Sequence, residues 1–190
     1  MTVSSFLSLR RCLLALVLLL GAAPPVLAQF KPDTWYNVAH AVSRQNIPSL
    51  RSMLAKGDSP DAVDGEGRPA LVWAVQVNSI EALQLLIDAR AKIDIRDRLG
   101  ATALYTAAGT GNLEMVRMLL QAQASVDLAN RQGVTPLMVG AGRGSVPVVR
   151  ELLKAGADPK KQDFSGRDPK GWASQPQVQR VIEEAQQRKR

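Results

Sequence analysis

A 33-residue period constrains this chain more than any other feature it has. Gly67, Gly100, Gly133 and Gly166 stand 33 residues apart, and so do Asp64, Asp97, Asn130 and Asp163. Leu71, Leu104 and Leu137 keep the same step, as do Ala91, Ala124 and Ala157. A short unit that recurs at a fixed period cannot bury its apolar face alone. It stacks on its neighbours, and the chain becomes a quasi-linear array rather than a globule around one core. Aromatic residues make up only 4% of the chain, too few for a single large core, which an array does not need.

Within each period the apolar residues fall at helical spacing. Ile47, Leu50, Met53 and Leu54 form one stripe, and Ile80, Leu83, Leu86 and Ile87 form the next. Asn46, Ser79, Asn112 and Ser145 stand immediately before such stripes and are expected N-caps, and Asp33 is expected to cap the helix that follows it. Pro48 and Pro147 fall in first turns, where a missing N–H costs little. The third unit sets out Asp97, Gly100, Thr102, Leu104, Ala107, Ala108, Gly111, Val116, Leu119, Leu120, Ala124 and Asp127. The fourth sets out Gly133, Thr135, Pro136, Leu137, Ala141, Gly144, Val148, Val149, Leu152, Leu153, Gly156, Ala157 and Asp158.

In that order and spacing the chain resembles the ankyrin repeat. The resemblance implies an all-α ankyrin-repeat solenoid of about five helix-turn-helix units with short hairpin connections. The units are expected near 33–62, 64–96, 97–129 and 130–162, with a C-terminal cap over 163–190. In the cap Lys170 replaces the core leucine, and Pro176 is expected between the two helices. Val72, Tyr105 and Met138 stand where the family usually has His, so looser hydrogen bonding between neighbouring repeats is expected there. Gly57, Arg90, Gln123 and Gly156 share one register at the end of the second helix, where the chain turns left-handed. Arg90 and Gln123 should therefore carry local strain of about 1 kcal/mol each.

The first 28 residues read differently. Arg10 and Arg11 precede an apolar run from Cys12 to Ala22, Pro24 and Pro25 break it, and Val26-Leu27-Ala28 puts small residues at a cleavage site. That order is a secretory signal peptide, with cleavage expected after Ala28 and Gln29 as the new N-terminus. The apolar run is shorter than the roughly 20 residues that a membrane span needs. General secretion into a periplasm is the expected route, and Arg10-Arg11 keeps twin-arginine export open. Cys12 is the only cysteine, so the exported chain has no disulfide and depends on packing.

Beyond the leader, 22 of the 24 basic residues face all 17 acidic ones, a net charge of +5. That mild excess suits an acidic partner. No aromatic-basic stacking surface accompanies it, so a nucleic acid is not expected.

Nothing marks a catalytic centre, a metal site or a cofactor site, and the chain is expected to be non-enzymatic. His40 is the only histidine and cannot make a zinc site by itself. Asp94 and Asp127 recur by the period and are turn residues rather than a carboxylate pair. The glycines from Gly140 to Gly144 lack the preceding strand and following Lys-Ser/Thr of a phosphate loop. Gly140 stands where the family has Ala, so either its neighbours crowd it or its helix is soft.

Surface remains. The resemblance implies a partner seated on the hairpin tips and the exposed side of the inner helices. Carried over by position, these are Arg68, Arg98, Leu99, Arg131, Gln132, Phe164 and Arg167 at the tips, and Gln76, Thr110 and Arg143 on the helices. Arg98, Arg131, Arg143 and Arg167 are expected on one concave side with Leu99 and Phe164 exposed among them, a composition typical of interfaces. The expected function is a monomeric protein-binding module in the periplasm that takes an acidic protein surface. The alternatives are a protective factor, meaning a toxin inhibitor, an immunity protein or a stabiliser of a periplasmic enzyme, and a binder of small molecules or envelope components.

Overall fold

The structure, a computed structural model, describes residues 34–188. The leader, its cleavage site, the Asp33 cap and Lys189-Arg190 lie outside the described residues.

The described chain is a row of helix pairs. The pairs are α1 (Thr34–Ser43) with α2 (Ile47–Ala55), α3 (Ala70–Gln76) with α4 (Ile80–Asp88), and α5 (Ala103–Thr110) with α6 (Leu113–Gln121). They continue with α7 (Pro136–Arg143) and α8 (Val146–Lys154), then α9 (Pro169–Trp172) and α10 (Pro176–Arg188). The first helices of successive pairs pack side by side as an inner layer, and the second helices pack likewise as an outer layer. Among the described residues no strand forms, and the one β-type contact is a bridge between Val63 and Pro69. No described helix is long and apolar enough to cross a membrane.

The periodic residues make this core. Leu71, Leu104 and Leu137 are buried on the inner helices, and Leu83, Leu86, Met115, Val116, Leu119, Val149 and Leu152 on the outer ones. Each such side chain contributes about 1.5–3 kcal/mol by leaving water. Ala74, Ala107, Ala108 and Ala141 keep the inner helices thin enough to pack closely. Gly140 belongs to the same set: a Cβ there would meet Val148 Cγ1 at 3.3 Å and Ala108 Cβ at 3.7 Å. The neighbours therefore fit closely round the glycine, and a Cβ would require Val148 to shift by a few tenths of an ångström.

Caps fall where the spacing places them. Asn46, Ser79 and Asn112 accept the N–H of Ser49, Ala82 and Met115. Ser145 holds the same position before α8, but its side chain makes no cap bond. Thr102 and Thr135 cap α5 and α7. Arg90 and Gln123 adopt φ of 60° and 65°, beside Gly57 at 84° and Gly156 at 98°, so the register in which strain was expected is left-handed throughout. A second left-handed register was not anticipated. Gln45 and Asn78 share the inter-helix turn position of Gly111 and Gly144 and take φ of 54° and 55°. Their side chains reach the next repeat: Gln45 donates to Val77 O, and Asn78 accepts from Asn112 at 2.7 Å.

The C-terminal unit differs from the sequence reading. Pro176 is the first residue of α10 rather than a residue between helices, a position that proline's fixed φ suits. The inner helix α9 is one turn of four residues. Lys170 is exposed where the other units bury leucine, and Gly171 follows it, so little favours a longer helix. Val178, Val181 and Ile182 do form the buried stripe of the last helix.

Candidate binding surface

Every tip is built by one side chain. Asp64 Oδ1 accepts the N–H of both Glu66 and Arg68 at 2.8 Å. Asp97 takes Leu99 and Ala101, Asn130 takes Gln132 and Val134, and Asp163 takes Ser165 and Arg167 in the same way. An acceptor oxygen on a short side chain is what the register requires, and this explains why Asn replaces Asp at one position without breaking it. The glycine three residues on turns left-handed, with φ between 73° and 79° in the four tips.

The tips also touch one another. A Cβ on Gly67 would meet Arg98 Nε at 2.9 Å, and one on Gly133 would meet Phe164 Cδ1 at 2.8 Å. A Cβ on Gly100 would come equally close to Arg131, 2.9 Å from its backbone nitrogen. Main-chain bonds join the tips as well, from Arg131 N to Leu99 O and from Phe164 N to Gln132 O. Arg98, Arg131 and Phe164 therefore occupy equivalent places in one row, each lying over the tip before it. Leu99 and Phe164 are 72% and 83% exposed.

The expected arginine face is divided. Arg98 donates to Gly65 O, and Arg131 forms no ion pair among the described residues. Arg143 stands at the far end of α7, about 12 Å of helix from the tips. It lies across the Gly111 turn, in the register of Thr110. Thr110 itself bonds back to Ala107 O.

Arg68 and Arg167 are used internally. Each lies over a tryptophan, with Arg68 4.3 Å from the centre of Trp73 and Arg167 4.4 Å from that of Trp172. Arg68 also bonds Gln76 and Glu66, and Arg167 bonds Ser165 and pairs with Asp163. The indole N–H of Trp73 donates to Asp64, and that of Trp172 to Asp163. Burial pushes the Asp64 carboxyl up, but the Arg68 N–H, the Trp73 indole and the Glu66 N–H outweigh it and hold it below its ordinary value. The Ser165 hydroxyl does most to hold Asp163 far below the usual carboxylate range, against burial and together with the Arg167 N–H and the Trp172 indole. The sequence reading missed this use of Trp73 and Trp172. Their recurrence three periods apart, each five residues after an arginine, was the available signal.

A second ladder was also missed. Asp61, Asp94 and Asp127 accept the N–H of Lys92, Ser125 and Asp158, each in the following repeat. These aspartates are more than turn residues, since each ties two repeats together. At the family's His position, Tyr105 keeps a tie to the next repeat by accepting from Asn130, at a long 3.4 Å. Burial, with the nearby Asp97 charge, raises the Tyr105 phenol above its ordinary value, and Asn130 offsets part of that rise.

His40 lines an open cleft of about 490 Å³ with Ser43, Asp64, Glu66, Arg68 and Trp73. Its walls carry both signs of charge, so the cleft favours neither an acid nor a base. Among the described residues no three His, Asp, Glu or Cys side chains converge to hold a metal.

Comparison with known proteins agrees with this geometry. A family model described as ankyrin repeats in three copies matches residues 90–163, and one described as the ankyrin repeat matches 66–98. The ankyrin repeat protein nuc-2 of Neurospora crassa is 32% identical over 56 residues, 30% of this chain. The chain spans only 5% of that relative's length.

Proposed function

We propose that this ankyrin repeat protein, whose matched repeats run over residues 66–163, is a non-enzymatic binding module that takes an acidic protein surface on its tips and inner helices. Ankyrin repeats generally mediate contacts between proteins. The observation that carries the finer reading is the tip row, in which Arg98 and Arg131 flank Leu99 and Phe164 leads on to the cap. An arginine beside an isolated exposed apolar side chain is the composition of an interface centre. Leu99 and Phe164 are the large hydrophobic side chains that stand exposed among the described residues. Both are fixed on tips locked by side-chain and main-chain bonds, so little ordering cost opposes binding.

The place of action in this proposal is the periplasm, reached through cleavage after Ala28, which rests on the order of charge, apolar run and small residues in the leader. The test is a pull-down from periplasmic extract with tagged Gln29–Arg190, read by mass spectrometry. It is repeated with Arg98→Glu and Arg131→Glu together, and separately with Arg143→Glu. One stoichiometric protein that is lost with the tip pair supports the reading. A partner retained by the tip pair sinks the assignment of the tips, and loss only with Arg143→Glu moves the site to the far end of the inner helices.

A further inference from the structure

The outer layer carries a feature that the tip reading does not use. Arg117 on α6 pairs with Glu151 on α8 at 3.1 Å, along a groove of about 400 Å³ between those helices. One period on, the same positions hold Arg150 on α8 and Glu184 on α10. No ion pair forms there among the described residues, and this groove has a volume of about 380 Å³.

Its floor is Leu153, Val181 and Ala185, and its rim is Arg150, Lys154 and Arg188 against the single acid Glu184. Arg150 and Lys154 stand one turn apart on one wall, and Glu184 and Arg188 one turn apart on the other. The rim charges are exposed, whereas the floor is recessed, with Val181 only 7% accessible. A recessed floor between two helices is reached by a side chain projecting from an inserted helix. A flat bilayer would need apolar groups that protrude, and the protruding ones, Leu99 and Phe164, belong to the tips.

We propose that the α8–α10 groove is a second docking site, for an acidic amphipathic helix of a partner protein. One apolar side chain of that helix would fill the space over Leu153, Val181 and Ala185. Its Asp or Glu residues would face Arg150, Lys154 and Arg188, which is helix-in-groove recognition with complementary charge.

The probe is a fluorescein-labelled 14-residue Leu–Glu peptide with leucines at helical spacing, titrated with the purified protein and followed by anisotropy. Saturable binding is expected. Arg150→Glu with Lys154→Glu should weaken it at least about tenfold. Glu184→Lys, which removes the one rim acid, should tighten it several-fold. All three positions are exposed, so the fold is retained, and circular dichroism verifies this. Arg98→Glu with Arg131→Glu should leave peptide binding unchanged, which separates this site from the tips. The proposal is overturned by absence of binding, by an unchanged affinity in the rim variants, or by equal binding of a Leu–Lys peptide. Preferential binding of phosphatidylglycerol vesicles lost with the same rim charges also overturns it, in favour of a membrane surface.

Discussion

Asp163 accepts the indole N–H of Trp172 at 2.8 Å while the same carboxylate organises the tip that carries Ser165 and Arg167. One ionised group thus ties the last inner helix to its hairpin. Its carboxyl titrates well below the ordinary value, held there mainly by the Ser165 hydroxyl. A depressed carboxylate contributes stability that is fully present above the unfolded value, about 3.9, and is lost as pH falls through the folded one. Asn130 provides the uncharged counterpart in the same register. Asp163→Asn should therefore keep the tip closed yet make stability less dependent on pH below about 4. Urea midpoints measured between neutral and acid pH test this, and identical pH profiles for the two proteins would count against the assigned role.

Gln123 is exposed and left-handed, with φ of 65°. Gln123→Gly should stabilise the array by about 0.5–1 kcal/mol, because glycine removes the Cβ clash. Asn78→Gly, at φ of 55°, should not gain in the same way, since Asn78 accepts a bond from Asn112 in the next repeat. Chemical denaturation of both variants decides whether side-chain ties or backbone strain govern these turns.

Asp94 accepts both the backbone N–H and the hydroxyl of Ser125, across one repeat boundary. Asp94→Ala should cost about 1 kcal/mol. It should also speed amide hydrogen exchange at Ser125 more than at Asp158, which Asp127 holds. Equal acceleration at both amides would mean that the ladder does not act locally.

Leu119 is fully buried on α6 between the α4 and α8 neighbours. Leu119→Ala should cost about 2–5 kcal/mol. Repeat arrays depend on each interface with the next unit, so the unfolding transition should also broaden. Thermal melts followed by circular dichroism give both readings.

Much of this was legible in the chain itself. The caps at Asn46, Ser79 and Asn112, the buried leucine register and the left-handed Arg90 and Gln123 followed from spacing and local chemistry. Ser145, which makes no cap bond, and the one-turn α9 did not follow, since both depend on how neighbouring groups are placed. The tip residues were located correctly as tips, but which of their arginines were already occupied was not legible. Arg68 and Arg167 read like Arg98 and Arg131 until the tryptophans that face them are known.

The sequence by itself determined the unit, its length and its layered core, because a repeated apolar pattern has one economical way to leave water. Only the tertiary structure decided which charges remain available. An arginine's partner lies one repeat away or across a tip, at a distance that depends on how helices settle against each other. Arg117 meets Glu151, and one period later Arg150 and Glu184 line the same groove without forming an ion pair.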